Sequence, residues 1–246
     1  MSSSHTDPLP YWEEQIEVIH AIREQGMQAY ASQIADLSSS FELKDRTVRC
    51  IDEGTPGGIH LAGQGILMTS AQIADFCAKA LPDGVVSHEE CGACGLYAKR
   101  QQLDPTDTDG YGKIWVTKFA EICAVPVKGH VAVTEMARPS GMHIARVAYY
   151  DGTGSFDPTR CSPFPPGFVI SRFYLDPAYA KEEAGIAASI AMGDHGFGGL
   201  ITSEEPFLFI AVAHKNQGVP LETLLTELRE VVSHLDGKAI VDGFVA

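Results

Sequence analysis

Val85-Val-Ser-His-Glu-Glu-Cys-Gly-Ala-Cys-Gly-Leu-Tyr-Ala-Lys-Arg100 opens on two β-branched residues, crosses a polar and sulfur-bearing cluster, and runs on toward Tyr97 and Arg100. Val85-Val86 reads as a short buried strand and the distal part as a helix, so His88 and Cys91 fall where strand gives way to helix. The preceding segment repeats this pattern. Thr47–Ile51 reads as a strand running into the loop Gly54-Thr-Pro-Gly-Gly58, and Ile59–Met68 reads as a second strand or a loop with a strand end. Thr69-Ser-Ala-Gln72 is a capping box opening a helix with Ile73, Phe76, Cys77 and Ala80 on one face, and Pro82-Asp-Gly84 closes it. Strand, loop, helix, strand, loop, helix is the rhythm of a parallel sheet, whose sites lie at the carboxyl ends of its strands. Cys50 and His88–Cys91 both occupy such ends.

Outward from this core, residues 11–37 carry Trp12, Ile16, Ile19, Met27, Tyr30, Ile34 and Leu37 at mostly helical spacing, with a break near Gly26. That apolar face needs either the body of the protein or a partner subunit. His130–Met136 and Ile144–Tyr150 read as strands, the second ending in the turn Asp151-Gly-Thr-Gly154. Cys161–Gly167 marks a change of composition. Beyond it, residues 207–213 form a buried strand, Pro220–Leu235 an amphipathic helix and 238–245 a final strand. No internal repeat is legible. The expected fold is α/β, a central, mostly parallel sheet flanked by helices. It forms a single domain over residues 1–246, with an N-terminal helical arm at 1–40, a zinc-binding α/β core at 41–160 and a C-terminal α+β extension at 161–246 packed on that core.

The chain has 246 residues, 45% hydrophobic and 20% charged, enough to bury a sizeable core. Lys and Arg number 18 against 32 Asp and Glu, a net charge of −14, and no basic stripe interrupts the acidity. Nucleic acid and anionic membranes are therefore not expected as partners. No signal peptide and no membrane span is visible, and cysteines at 50, 77, 91, 94, 123 and 161 are too few for a disulfide scaffold. A cytoplasmic, reducing setting is expected, where clustered thiols bind metal or react.

Zinc takes about four tetrahedral ligands from thiolate, imidazole and carboxylate. Cys50-x-Asp52 at one strand end and His88-x-x-Cys91 at the next offer that set, and the sulfur ligands favour zinc (Zn2+) over magnesium or calcium. Cys91-Gly-Ala-Cys94 also has the spacing of a redox dithiol at a helix N-terminus, which keeps a disulfide chemistry open and makes Cys94 an alternative ligand.

Cys-Ile-Asp at 50–52 followed by His-Glu-Glu-Cys-Gly-Ala at 88–93 resembles the β-class carbonic anhydrases, over roughly residues 40–155. Ala62-Gly63 lies where that family has an Arg-Asn-Ala-Gly-Asn stretch. The resemblance implies zinc held by Cys50, His88 and Cys91, with Asp52 either catalytic, orienting a water on the metal, or itself the fourth ligand. It implies reversible hydration of carbon dioxide to bicarbonate and a homodimer or higher homo-oligomer paired through N-terminal helices. An apolar slot lined by Ile59, Leu61 and Ile66 would admit the substrate. The family's arginine two residues after the aspartate, which holds that carboxylate off the metal, is Gly54 here, and the Arg-Asn before Ala-Gly is His60-Leu61. Without a cation Asp52 is free to close the site. Arg46, Arg49 and Arg100 are the candidates to replace the missing arginine.

His60, Gly63, Glu89 and Cys94 are further candidates for the surroundings of the metal or the substrate pocket, and Glu90 for a solvated or supporting role. His130 and His143 read as packing or surface histidines. His195 lies in the glycine-rich Met192–Gly199, which lacks the order of a dinucleotide-binding loop. Asp104–Gly112 reads as a solvated acidic loop. Beside carbon dioxide hydration stand a zinc hydrolase of carbonyl sulfide or carbon disulfide, a zinc-stapled protein with no catalysis, and a redox dithiol.

Overall fold

The computed structural model describes residues 6–246. Among the described residues eight strands form two four-stranded sheets, parallel throughout. The first contains β1 (Thr47–Arg49), β2 (Ile59–His60), β3 (Gly84–His88) and β4 (Val127–Val131), in the order β2-β1-β3-β4. The second contains β5 (Val147–Asp151), β6 (Gly167–Ile170), β7 (Phe207–Ala213) and β8 (Ala239–Val245), in the order β6-β5-β7-β8. Parallel neighbours require crossovers. Helix α3 (Ser70–Ala80) connects β2 to β3, and α4 (Gly92–Arg100) with α5 (Thr108–Cys123) connects β3 to β4. In the second half α6 (Pro177–Ala191) and α7 (Leu221–Val232) serve the corresponding connections.

The parallel α/β architecture is thus present, with its strands divided between two sheets. Both sheets run second, first, third, fourth in their own chain order, so the fold contains a structural repeat that the sequence does not display. Residue 160 falls between β5 and β6, which pair from Val147↔Gly167 to Tyr150↔Ile170, so the segment from 161 onward completes a second parallel sheet. Strand β7, the all-apolar FLFIAVA, is buried at every position, as a central strand covered on both faces must be.

Side-chain alternation along β5 shows where the two cores lie. Ala148 and Tyr150 enter the large core with Val48, Phe76, Phe119, Phe168 and Phe207 from both halves. Val147 and Tyr149 point the other way, onto Ile19, Ile22, Met27, Leu208 and Phe244. The N-terminal segment forms α1 (Leu9–Gln25) and α2 (Met27–Ser32), broken at Gly26 with φ 84°, and its apolar face packs on the chain's own second sheet. Asp242 of β8 accepts the Met27 N–H at 2.6 Å, fixing the break.

Three expectations change in detail. His130 ends near the close of a short strand, and Val133–Glu135 is a 3-10 turn rather than strand. The acidic loop after Asp104 gives way at Thr108 to α5, whose first turn is capped by Asp107. Cys77 and Cys123, expected as reduced thiols, form a disulfide between α3 and the end of α5, with Cα atoms 5.7 Å apart. Among the described residues no helix is long and apolar enough to cross a membrane.

Candidate metal centre

β1 and β3 are adjacent and parallel, so the residues at their carboxyl ends emerge side by side. Cys50 is the first residue beyond β1, His88 the last of β3, and Cys91 caps α4. The intervening Glu90 takes a left-handed φ of 56°, which folds Cys91 back toward His88. The Cys50 and Cys91 sulfurs lie 4.0 Å apart, and both sulfurs and a His88 ring nitrogen lie within 4.8 Å of one another, all buried.

Several details suit a metal. His88 Nδ1 is hydrogen-bonded to the Glu89 carbonyl at 2.7 Å, while its Nε2 is buried with no hydrogen-bond partner. A neutral imidazole with one nitrogen tied back and the other left bare is the form a ligand takes. Burial favours an uncharged His88, but Cys50 and Asp52 outweigh that and carry it up to about 9 when no cation is present. Burial and the nearby Cys91 push the Cys50 thiol well up. For Cys91 the hydrogen bond to Cys50 pulls down, and Cys94 with burial outweighs it. Both thiols therefore keep their protons until a cation displaces them, and a divalent ion would take the three donors in exchange for those protons.

The 3-10 turn Ala62–Gly65 closes over the sulfurs. Gly63 N–H donates to Cys50 Sγ at 3.3 Å. Gly63 has φ 52°, and a Cβ there would lie 2.9 Å from Ile66 Cγ2, 3.0 Å from Ala93 Cβ and 3.6 Å from Cys91 Sγ. The turn is held from the second half, where Glu183 of α6 accepts the Ala62 N–H at 2.7 Å. The halves join beside the site again where Val169 N–H donates to Ile51 O at 3.1 Å and His60 N–H to Ser171 Oγ at 2.9 Å.

His60 lies behind the ligands. Its Nδ1 is 2.6 Å from the Cys50 carbonyl and burial holds the ring neutral, so it supports the Cys50 backbone. Cys94 is fully buried beside Cys91 and outside the Cys50–His88–Cys91 group. Glu89 accepts the Val133 N–H at 2.7 Å. Glu90 accepts from Ser140 Oγ at 2.7 Å and Gly141 N–H at 2.8 Å. Ile59, Leu61 and Ile66 are buried in the core around this point.

Asp52 is not without a cation. Arg138, from the loop after β4, donates from Nε to Oδ1 at 2.9 Å and from Nη2 to Oδ2 at 3.1 Å, with both side chains buried. None of the three arginines expected to replace the missing one does so. Arg46 binds the carbonyls of Ala80 and Leu81, Arg49 faces Asp45 and Arg100 pairs with Glu182. The carboxylate also accepts the Gly54 N–H at 2.8 Å. Burial alone would favour its protonated form, but His143, His88 and Arg138 override that and hold Asp52 ionised, well below the usual carboxylate range.

Sequence reasoning also missed Glu53 and His143, a buried pair at 3.1 Å, with Glu53 accepting the Ile144 N–H at 2.7 Å. Asp52, Glu53 and His143 have spacing that could hold a cation, yet Arg138 already supplies a positive charge there. A cavity of about 410 Å³ opens beside the site, lined in part by Glu90, Cys91, Arg138, Gly141 and His195. His195 Nδ1 is hydrogen-bonded to Gly141 O at 3.1 Å, and its own carbonyl accepts from His143 N–H at 2.6 Å. The glycine-rich loop around it therefore forms part of the mouth. Comparison with protein-family models, with curated proteins and with solved structures finds no match.

Proposed function

We propose that this chain is a zinc enzyme catalysing the reversible hydration of carbon dioxide to bicarbonate, in the manner of the β-class carbonic anhydrases it resembles. One observation carries the reading: two buried thiols and an imidazole converge, and the carboxylate beside them is fastened by an arginine. Zinc held by Cys50, His88 and Cys91 would bring the pKa of a water down to about 7, supplying hydroxide near neutral pH.

The protein's own groups have distinct tasks in this reading. Arg138 keeps Asp52 ionised and takes up its oxygens, so the carboxylate remains an acceptor rather than a ligand. Asp52, ionised and lying beside His88 with Oδ2 3.9 Å from its Nδ1, would be the acceptor that orients a water supplied at the zinc. The Gly63 N–H donated to Cys50 Sγ tempers the charge on that sulfur. Buried Leu61 and Ile66 exclude bulk water on one side, and the opening past Cys91 and Arg138 admits a small linear substrate.

The test is stopped-flow carbon dioxide hydration on zinc-loaded protein at neutral and alkaline pH. Hydration well above buffer, lost in Cys91→Ser together with the zinc, is expected. A protein that binds one zinc per chain and gives no rate above buffer at any pH overturns the proposal.

A further inference from the structure

We propose that Glu89, Asp109 and His130 form a second divalent-cation site, where the carboxyl ends of β3 and β4 meet the first turn of α5, separate from the thiol centre. Their ligand atoms lie within 4.8 Å of one another, and the three side chains are half-buried. Among the described residues, none of the three hydrogen-bonds another, and no basic side chain pairs with either carboxylate. Two carboxylates held this close, with Lys113 near the imidazole but in ion-pair contact with neither, repel, and a cation between them removes that cost.

The imidazole gives the site its direction. Ser87 Oγ holds His130 Nδ1 at 2.8 Å, while Nε2 is buried and has no hydrogen-bond partner among the described residues. This is the arrangement of a ligand histidine with its far nitrogen anchored. Burial and Lys113 favour the neutral ring, the form that can donate a lone pair. Among the described residues each carboxylate is fixed through one oxygen, and the other takes no hydrogen bond. Glu89 Oε2 accepts from Val133 N–H at 2.7 Å, and Asp109 Oδ1 from Glu90 N–H at 3.1 Å.

The donor set selects the ion. One imidazole and two carboxylates suit a first-row divalent cation such as manganese or zinc, whereas calcium prefers a full oxygen cage and the thiol centre prefers zinc. Residue 89 would then serve both places, its side chain at the second site and its carbonyl hydrogen-bonded to His88 Nδ1.

The experiment titrates protein carrying one zinc per chain, at the thiol centre, with Mn2+ and follows the electron paramagnetic resonance signal of the free ion. One Mn2+ per chain is expected, bound at least about tenfold more weakly in Asp109→Asn and in His130→Gln, both retaining their zinc. Cys91→Ser should lose zinc and keep the manganese, which separates this proposal from the hydration reading. Absence of manganese binding overturns it, as does binding that is unchanged in both variants or that disappears with Cys91.

Discussion

Arg138 grips Asp52 from 86 positions away in the chain, with Nε 2.9 Å from Oδ1 and Nη2 3.1 Å from Oδ2. The carboxylate thereby has a partner other than a metal. Removing the guanidinium leaves the buried carboxylate with His143 and His88 as its remaining protein counter-charges and frees its oxygens for a cation beside the thiols. Arg138→Ala should retain zinc and lose carbon dioxide hydration by about 10²-fold, the scale of losing one preorganised electrostatic group. Metal analysis and stopped-flow rates on the same preparation check this; an unchanged rate would detach the pair from catalysis.

The same geometry explains Gly54. A Cβ at that position would sit 2.6 Å from Met136 Cε and 2.8 Å from Arg138 Cγ, so the space a side chain would need is filled by the arginine arriving from elsewhere. Gly54→Ala should therefore destabilise by about 1–3 kcal/mol through overpacking. Thermal unfolding measures it. A neutral result would mean that the loop carrying Arg138 yields without strain.

How far the sequence reveals this arrangement depends on whether the information is local. Helix α3 with its Thr69 cap, strand β7 and helix α7 follow from capping and hydrophobic period alone, and these stand in the structure as read. Cys50, His88 and Cys91 were legible because each lies at a strand end, and parallel neighbours bring such ends together. Arg138 was not: it sits in an irregular loop, and only the tertiary path of residues 132–146 carries it to Asp52. A glycine where an arginine was expected reads as a loss, whereas here it is the space for a substitute. The duplicated strand order escaped for a related reason. Topology is fixed by crossovers and apolar patterning that tolerate wholesale side-chain replacement, so Cys50 follows β1 while Gly152 follows β5 with no resemblance between them.

Metal uptake should depend steeply on pH. Both thiols are held protonated, Cys50 chiefly by burial and Cys91 by Cys94 and burial, so binding must expel their protons. Zinc affinity should rise with pH, by about tenfold per unit for each proton displaced, and fall away in acid. Chelator competition at several pH values reads the slope. A flat profile would indicate ligands other than these thiols.

Gly63 offers a probe of the turn over the sulfurs. Its left-handed φ of 52° and the 2.9 Å approach a Cβ would make to Ile66 leave little room for alanine. Gly63→Ala should shift the 62–65 turn, weaken the N–H to Cys50 Sγ and lower zinc affinity while Trp115 and the surrounding core remain folded. Zinc titration beside a circular dichroism spectrum distinguishes this local effect from general unfolding.

Glu183 gives the protein a second pH dependence, opposite in sign to that of an ordinary surface carboxylate. It is fully buried, Oε1 accepts the Ala62 N–H at 2.7 Å, and among the described residues Oε2 makes no well-formed hydrogen bond, with the Tyr179 hydroxyl its polar neighbour. Burial raises its pKa from 4.5 to about 8, so the folded protein keeps it neutral at pH 7 while the unfolded chain would ionise it. A carboxyl whose folded pKa is raised contributes its full stability below about pH 4.5, and that contribution drains as pH climbs toward about 8. Glu183→Gln preserves an acceptor for Ala62 and cannot ionise. The variant should match the parent's unfolding temperature near pH 5 and exceed it near pH 8, where each kcal/mol is worth about 2–4 °C in a chain of this size. Because Ala62 precedes the Gly63 amide that donates to Cys50, the same substitution should also make zinc retention less sensitive to alkaline pH. A Tm difference that stays constant from acid to alkaline solution would show that Glu183 does not titrate in this range.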